Sequence, residues 1–129
     1  MNNRIHEFDL TPYPRKLWVT CACSTAALND LFSDGVDGKP FDEMDECDSA
    51  TVYSVRRKKP DVRGGILIRF RSKKDMKQEE ITHESCHAAL EVYNYICQDV
   101  KFDSQEPFCY LAGYIADCCE QVRTNKFKK

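Results

Sequence analysis

The sequence predicts a small α+β domain, a short and mostly antiparallel sheet packed against three helices. Three observations carry that prediction. In GGILIRFRS (64–72), Ile66, Ile68 and Phe70 alternate with Leu67, Arg69 and Arg71, the two-residue period of a strand. In residues 78–97, Ile81, Ser85, Ala88, Val92 and Ile96 recur at helical spacing. The chain has 129 residues, 42% hydrophobic and 31% charged, which suits one domain (1–129) with a single modest core.

Each element follows in order. Residues 1–12 are polar and are expected to be a loose tail. RKLWVTC (15–21) has the β-branched and aromatic content of a short strand. STAALNDLFSDG (24–35) reads as a helix capped by Ser24 or Thr25, with Ala26, Leu28, Leu31 and Phe32 as its stripe and Gly35 as its stop. The acidic run between Asp37 and Asp48 has turn chemistry without a period, and predicts a solvated surface loop. SATVYSVRRK (49–58) and residues 64–72 form two strands of a hairpin across KPDVRG. Two helices follow, 78–97 and 103–122, the second with Asp103 or Ser104 as cap and Pro107 in the first turn, where its missing N–H costs nothing. RTNKFKK (123–129) is expected to be a second loose tail.

Composition excludes several functions. A net charge of −2 provides no global field for nucleic acid or an anionic membrane. No apolar stretch approaches the ~18 residues that span a bilayer. The N-terminus lacks the basic, apolar and small-residue order of an export signal, so a cytoplasmic location is expected. The eight cysteines do not show zinc-knuckle spacing and are expected to be reduced and mostly buried.

The chemistry concentrates in HESCH (83–87). On a helix His83 and His87 lie one turn apart and project from one face, so two neutral imidazole nitrogens can bind one metal ion. Glu84 lies too far round the helix to be their natural co-ligand, and is placed instead to act as a general base on a water. A third ligand must come from another element, and Glu106, eighteen residues after His87, is the candidate. In a tight antiparallel helical hairpin Glu106 would lie ~15 Å from His87 along the helix. It therefore reaches the histidines only if the helices cross steeply or the first one stops near Asn94; otherwise Asp117 is better placed. Tyr110, one turn after Glu106, is a second catalytic candidate through its hydroxyl, with a core aromatic as the alternative.

HESCH followed after eighteen residues by Gln105-Glu106 resembles the gluzincin metallopeptidases, and QEPFCYLAGYIADC resembles small H-E-x-x-H proteins of bacterial phages. The gluzincin likeness implies a zincin-like domain, Zn2+ held by His83, His87 and Glu106, Glu84 as the base, and a peptide or protein substrate. It also implies that the strand at 64–72 is the sheet edge along which an extended peptide lies.

A reading from another class is a non-catalytic, metal-stabilised interaction protein. Ten basic residues between Arg56 and Lys77 could form a positive hairpin face for nucleic acid, although only Tyr53 and Phe70 accompany them as stacking aromatics. A solvated face balanced by the acidic loop is the alternative for these charges. The oligomeric state is not legible.

Overall fold

The computed structural model describes residues 4–58 and 62–128. It is an α+β domain with a five-stranded sheet in the order β1-β2-β5-β4-β3. The strands are β1 (Ile5–Asp9), β2 (Lys16–Cys21), β3 (Phe32–Asp34), β4 (Ala50–Arg57) and β5 (Arg63–Phe70). The helices are α1 (Thr25–Leu31), α2 (Gln78–Tyr95) and α3 (Glu106–Thr124). Three of the four strand pairings are antiparallel, and only β2 and β5 run parallel.

Alternation on β5 divides the core in two. Ile66, Ile68 and Phe70 face α2 and α3, where they meet Leu17 and Val19 of β2 and Ile81, Ala88, Val92, Leu111 and Ile115 of the helices. Leu67 faces the other way and packs with Trp18, Val55, Phe32 and Leu28 of α1. β5 has neighbours on both edges and helices on both faces, so nearly all its side chains are buried.

The expected peptide-binding edge is therefore corrected. The strand read at 64–72 is the central strand, and its backbone groups are already paired with β2 and β4. The outer strands are β1 and β3, neither of which the sequence pattern announced. Residues 5–9, expected to be loose, pair with β2 from Ile5↔Thr20 to Asp9↔Lys16. Glu7 fixes this edge by accepting from the Trp18 indole at 2.9 Å and from Arg57 at 2.5 Å.

The first helix is shorter than its pattern. Ser24 caps it through the Ala27 N–H, but Phe32 leaves the helix in an extended conformation. Its ring then reaches Trp18, 5.0 Å away edge to face, and residues 32–34 pair with β4 as β3. Burial of one aromatic side chain outweighs one more turn of a short helix.

The acidic loop lies on the surface as expected, with Asp37, Asp42, Glu43, Asp45 and Glu46 exposed, and it is also anchored. The Asn29 side chain bonds both the N–H and the carbonyl of Phe41, and the Phe41 ring packs on Tyr53 at 5.0 Å. The C-terminal tail is also held. Asn125 closes α3 in the left-handed conformation, Phe127 stacks on His6 at 4.9 Å, and the Lys128 N–H donates to Gln121.

All eight cysteines are free thiols, but only Cys23, Cys118 and Cys119 are buried, and Cys21 partly so. The expectation of mostly buried thiols is corrected: Cys47, Cys86, Cys97 and Cys109 are exposed. Burial pushes the Cys118 and Cys119 thiols up to about 12. At pH 8 their thiolate fraction is then on the order of 10⁻⁴, and the thiolate is the reactive form. Brief iodoacetamide treatment of the folded protein at pH 8, read by peptide mass spectrometry, should modify the four exposed cysteines and leave Cys118 and Cys119 intact until the chain is unfolded. Equal labelling of all eight would mean that α3 is not docked by this face.

Candidate metal centre

Helix α2 places the motif. It starts after Lys77 in extended conformation, with Glu79 and Glu80 in a first turn that favours negative charge. Ile81, Glu84, Ser85, Ala88, Ala89, Val92 and Tyr93 are its buried residues. Glu84 thus falls at the buried edge of the apolar stripe, three residues after Ile81 and four before Ala88. His83 and His87 lie on the exposed rim beside it.

The two imidazoles converge. His83 Nε2 and His87 Nε2 are 3.2 Å apart, with ring centroids at 4.7 Å and planes at 75°. Two nitrogens bound to one tetrahedral zinc at 2.0–2.1 Å stand about 3.3 Å apart, so this pair spans one edge of such a site. The same spacing admits one N–H···N bond, so a cation here would take the place of a shared proton. Glu84 Oε1 lies 3.9 Å from His83 Nε2, longer than that edge. Its carboxylate suits a position beside a coordinated water better than a direct bond.

Glu84 is the electrostatically unusual member. Its side chain is 8% exposed against 65% for His83. Oε2 is buried with no hydrogen-bond partner. Burial raises its pKa above the usual carboxylate range; His83 and His87 pull it down when charged, and Glu80 and Asp48 push it up. A buried carboxylate with an orphaned oxygen, next to two nitrogen ligands, fits a cation-bound water as its missing partner. Among the described residues, His83, Glu84 and His87 are the group whose ligand atoms lie within 4.8 Å of one another and could hold a metal ion.

The expected third ligand does not join this group. Tyr93 packs on Phe108 at 5.4 Å and Ser85 faces Cys119, so α2 and α3 are antiparallel neighbours. Glu106, the first residue of α3, is level with the end of α2, about eight residues or ~12 Å beyond His87. α2 does stop near Asn94, at Tyr95, but the two helices pack along one another and Glu106 stays beside that end, outside the group. Glu106 is exposed there.

Asp117, the reserve ligand, pairs with Lys128 at 2.9 Å, bonds Gln121, and lines a groove with Gln78 and Thr82. That groove is on the α3 flank of α2. The flank of Glu84 faces the opposite way, toward Asp48 and the strand β4. Tyr110 is 74% exposed on α3, so the core-aromatic alternative does not hold. His6, in the segment expected to be a loose tail, is partly buried under Phe127, and burial lowers its pKa, followed by the charge of Arg4.

Sequence reading missed Glu80 and Asp48 as the acidic neighbours of Glu84. Glu80 was available from its four-residue spacing, whereas Asp48 comes from a distant loop and leaves no pattern. The basic residues at 56–77 are divided: Lys73, Lys74 and Lys77 line one groove with Arg123, and several others are engaged elsewhere. Arg69 is buried, Arg57 pairs with Glu7, the Lys58 ammonium donates to the Asn29 carbonyl, and Arg71 bonds the carbonyls of Asp45 and Asp48. Lys59 lies outside the described residues.

Glu84 makes stability depend on pH. A carboxyl whose folded pKa is raised contributes stability below its unfolded value, near pH 4, and loses it as pH rises through the folded value. With a chelator present, Glu84→Gln should therefore stabilise the protein at pH 7 by roughly 1 kcal/mol, the low end for an unpaired buried polar group. The gain should vanish near pH 4. Urea unfolding of both proteins at the two pH values checks it, and a destabilised Glu84→Gln at pH 7 would contradict the burial argument. No helix of the described residues is long and apolar enough to cross a membrane. No protein-family model, curated protein or solved structure matches this chain.

Proposed function

We propose that this protein is a zinc-dependent hydrolase in which His83 and His87 hold the metal and Glu84 is the general base. The observation that carries the reading is the geometry of the three groups. Two imidazole nitrogens stand 3.2 Å apart beside a buried carboxylate with an unpartnered oxygen. Peptide bonds are the proposed substrate class, on the likeness of HESCH to the gluzincin motif.

Zinc, when bound, supplies Lewis acidity toward a water and a scissile carbonyl. The chain supplies the rest. His83 and His87 enter as neutral donors. Glu84 Oε accepts a proton from the attacking water and returns it to the leaving amine. Its raised pKa suits that exchange, because a base that titrates closer to neutral pH both takes and gives the proton readily. The remaining coordination positions fall to solvent and substrate.

Elemental analysis after zinc loading and desalting separates the ligands. Wild type should retain about one zinc, His83→Ala and His87→Ala should lose it, and Glu106→Ala and Asp117→Ala should keep it. Loss of zinc in Glu106→Ala would return that residue to the site and require α3 to shift. Glu84→Gln should keep zinc but lower cleavage of a peptide library by about 10²-fold or more, the usual share of a general base.

All the gathered groups belong to one helix, which favours a second reading in which the ion only stabilises α2. On that reading wild type cleaves nothing, and zinc raises the melting temperature equally in wild type and Glu84→Gln.

A further inference from the structure

The sheet face opposite the histidines carries a charge that the fold does not balance. Arg69 projects from β5 beneath α1 and is 5% exposed. Its Nη2 donates to the Thr25 hydroxyl at 2.8 Å and to the Cys23 carbonyl at 3.3 Å. Its Nη1 is buried with no hydrogen-bond partner. Among the described residues no carboxylate forms an ion pair with this guanidinium. A guanidinium does not shed its proton to escape burial, so the site holds a full positive charge satisfied only by neutral acceptors.

A cavity of about 350 Å³ opens beside it, lined among others by Ala22, Ser24, Thr25, Glu43, Arg69 and Arg71. Arg71 donates to the Asp48 carbonyl at 2.8 Å and the Asp45 carbonyl at 2.5 Å, which occupy its N–H groups without cancelling its charge. Two guanidinium groups thus face one carboxylate, Glu43. The cavity lies beyond the carboxyl ends of β2 and β5, the parallel pair, where open sheets with parallel strands commonly bind ligands.

We propose that this cavity binds a small oxyanion, a phosphoryl or carboxylate group, whose negative charge offsets the guanidinium groups of Arg69 and Arg71 that line it. An oxyanion matches the site on two counts: it brings the missing charge, and it brings acceptors rather than donors; the volume leaves room for the rest of a small molecule that carries the group. The site is independent of the metal centre, which lies on the other face of the sheet.

Thermal unfolding and amide NMR of the full chain, with EDTA present to silence the histidines, test this with inorganic phosphate and with acetate against chloride at equal ionic strength. The expected result is a saturable rise in melting temperature of several degrees with a midpoint near or below about 10 mM. Shift changes should centre on residues 22–26 and 43–44, and the more potent ion identifies phosphoryl or carboxylate as the natural group. Arg69→Met should abolish the response. If Arg69→Met does not fold, Glu43→Gln decides instead, since removing the competing carboxylate should tighten phosphate or acetate binding severalfold. A wild type indifferent to both anions at 50 mM (about fivefold above that midpoint), a response undiminished in Arg69→Met, or a Glu43→Gln protein that is destabilised and still binds no anion would each overturn the proposal. The last result would make Glu43 the built-in counter-charge.

Discussion

The burial of β5 on both faces is the constraint around which the other elements are arranged. A strand paired on both edges and covered on both sides needs two partners for its apolar side chains, and their alternation decides which helix goes where. Ile66, Ile68 and Phe70 require α2 and α3; Leu67 requires Trp18 and α1. Gly65 belongs to the same constraint, because a Cβ there would collide with the Lys16 carbonyl and the Trp18 ring. The close approach of β2 that seals the smaller core thus depends on a missing side chain.

Docking of α2 on this sheet produces the chemistry as a by-product of helix geometry. Successive residues on a helix are separated by 100°, so His83 and Glu84 cannot share an environment when the buried stripe runs through Ile81, Ser85, Ala88 and Val92. Glu84 falls at the edge of the stripe and loses its water; His83 and His87 fall outside and keep theirs. Desolvation then raises the pKa of the carboxyl, while the nitrogens remain accessible. A buried carboxylate and a pair of accessible nitrogens, the groups that the proposed hydrolase calls for, are thereby made from neighbouring residues by one packing decision.

This separation was legible in the sequence, because the spacing of Ile81, Ala88 and Val92 already places position 84 against the core. So were the β4–β5 hairpin, both long helices and the α+β class, each carried by a strong local period. What local period cannot carry is the choice of partner. β1 has the polar sequence IHEFD and becomes a strand because the outer edge of β2 offers it a ladder and Glu7 finds Trp18 and Arg57. β3 exists because Phe32 is worth more against Trp18 than in a last helical turn. Glu106 shows the limit most plainly. Its distance in sequence from His87 matches a known ligand spacing, yet the flank of α2 on which α3 docks is set by Ser85, Ala89 and Tyr93, residues outside the motif's three fixed positions.

The loop at 36–48 joins these two halves of the molecule. Phe41 pins it to α1 and Tyr53, and Arg71 pins its end through the carbonyls of Asp45 and Asp48. Asp48, at that end, contributes to the field around Glu84 on one face of the sheet. Glu43 and Met44, a few residues earlier, close the cavity at Arg69 on the other. The run is exposed along most of its length yet fixed in place by these contacts. Around Glu84 the Asp48 carboxylate adds a small upward push to a pKa that burial raises first.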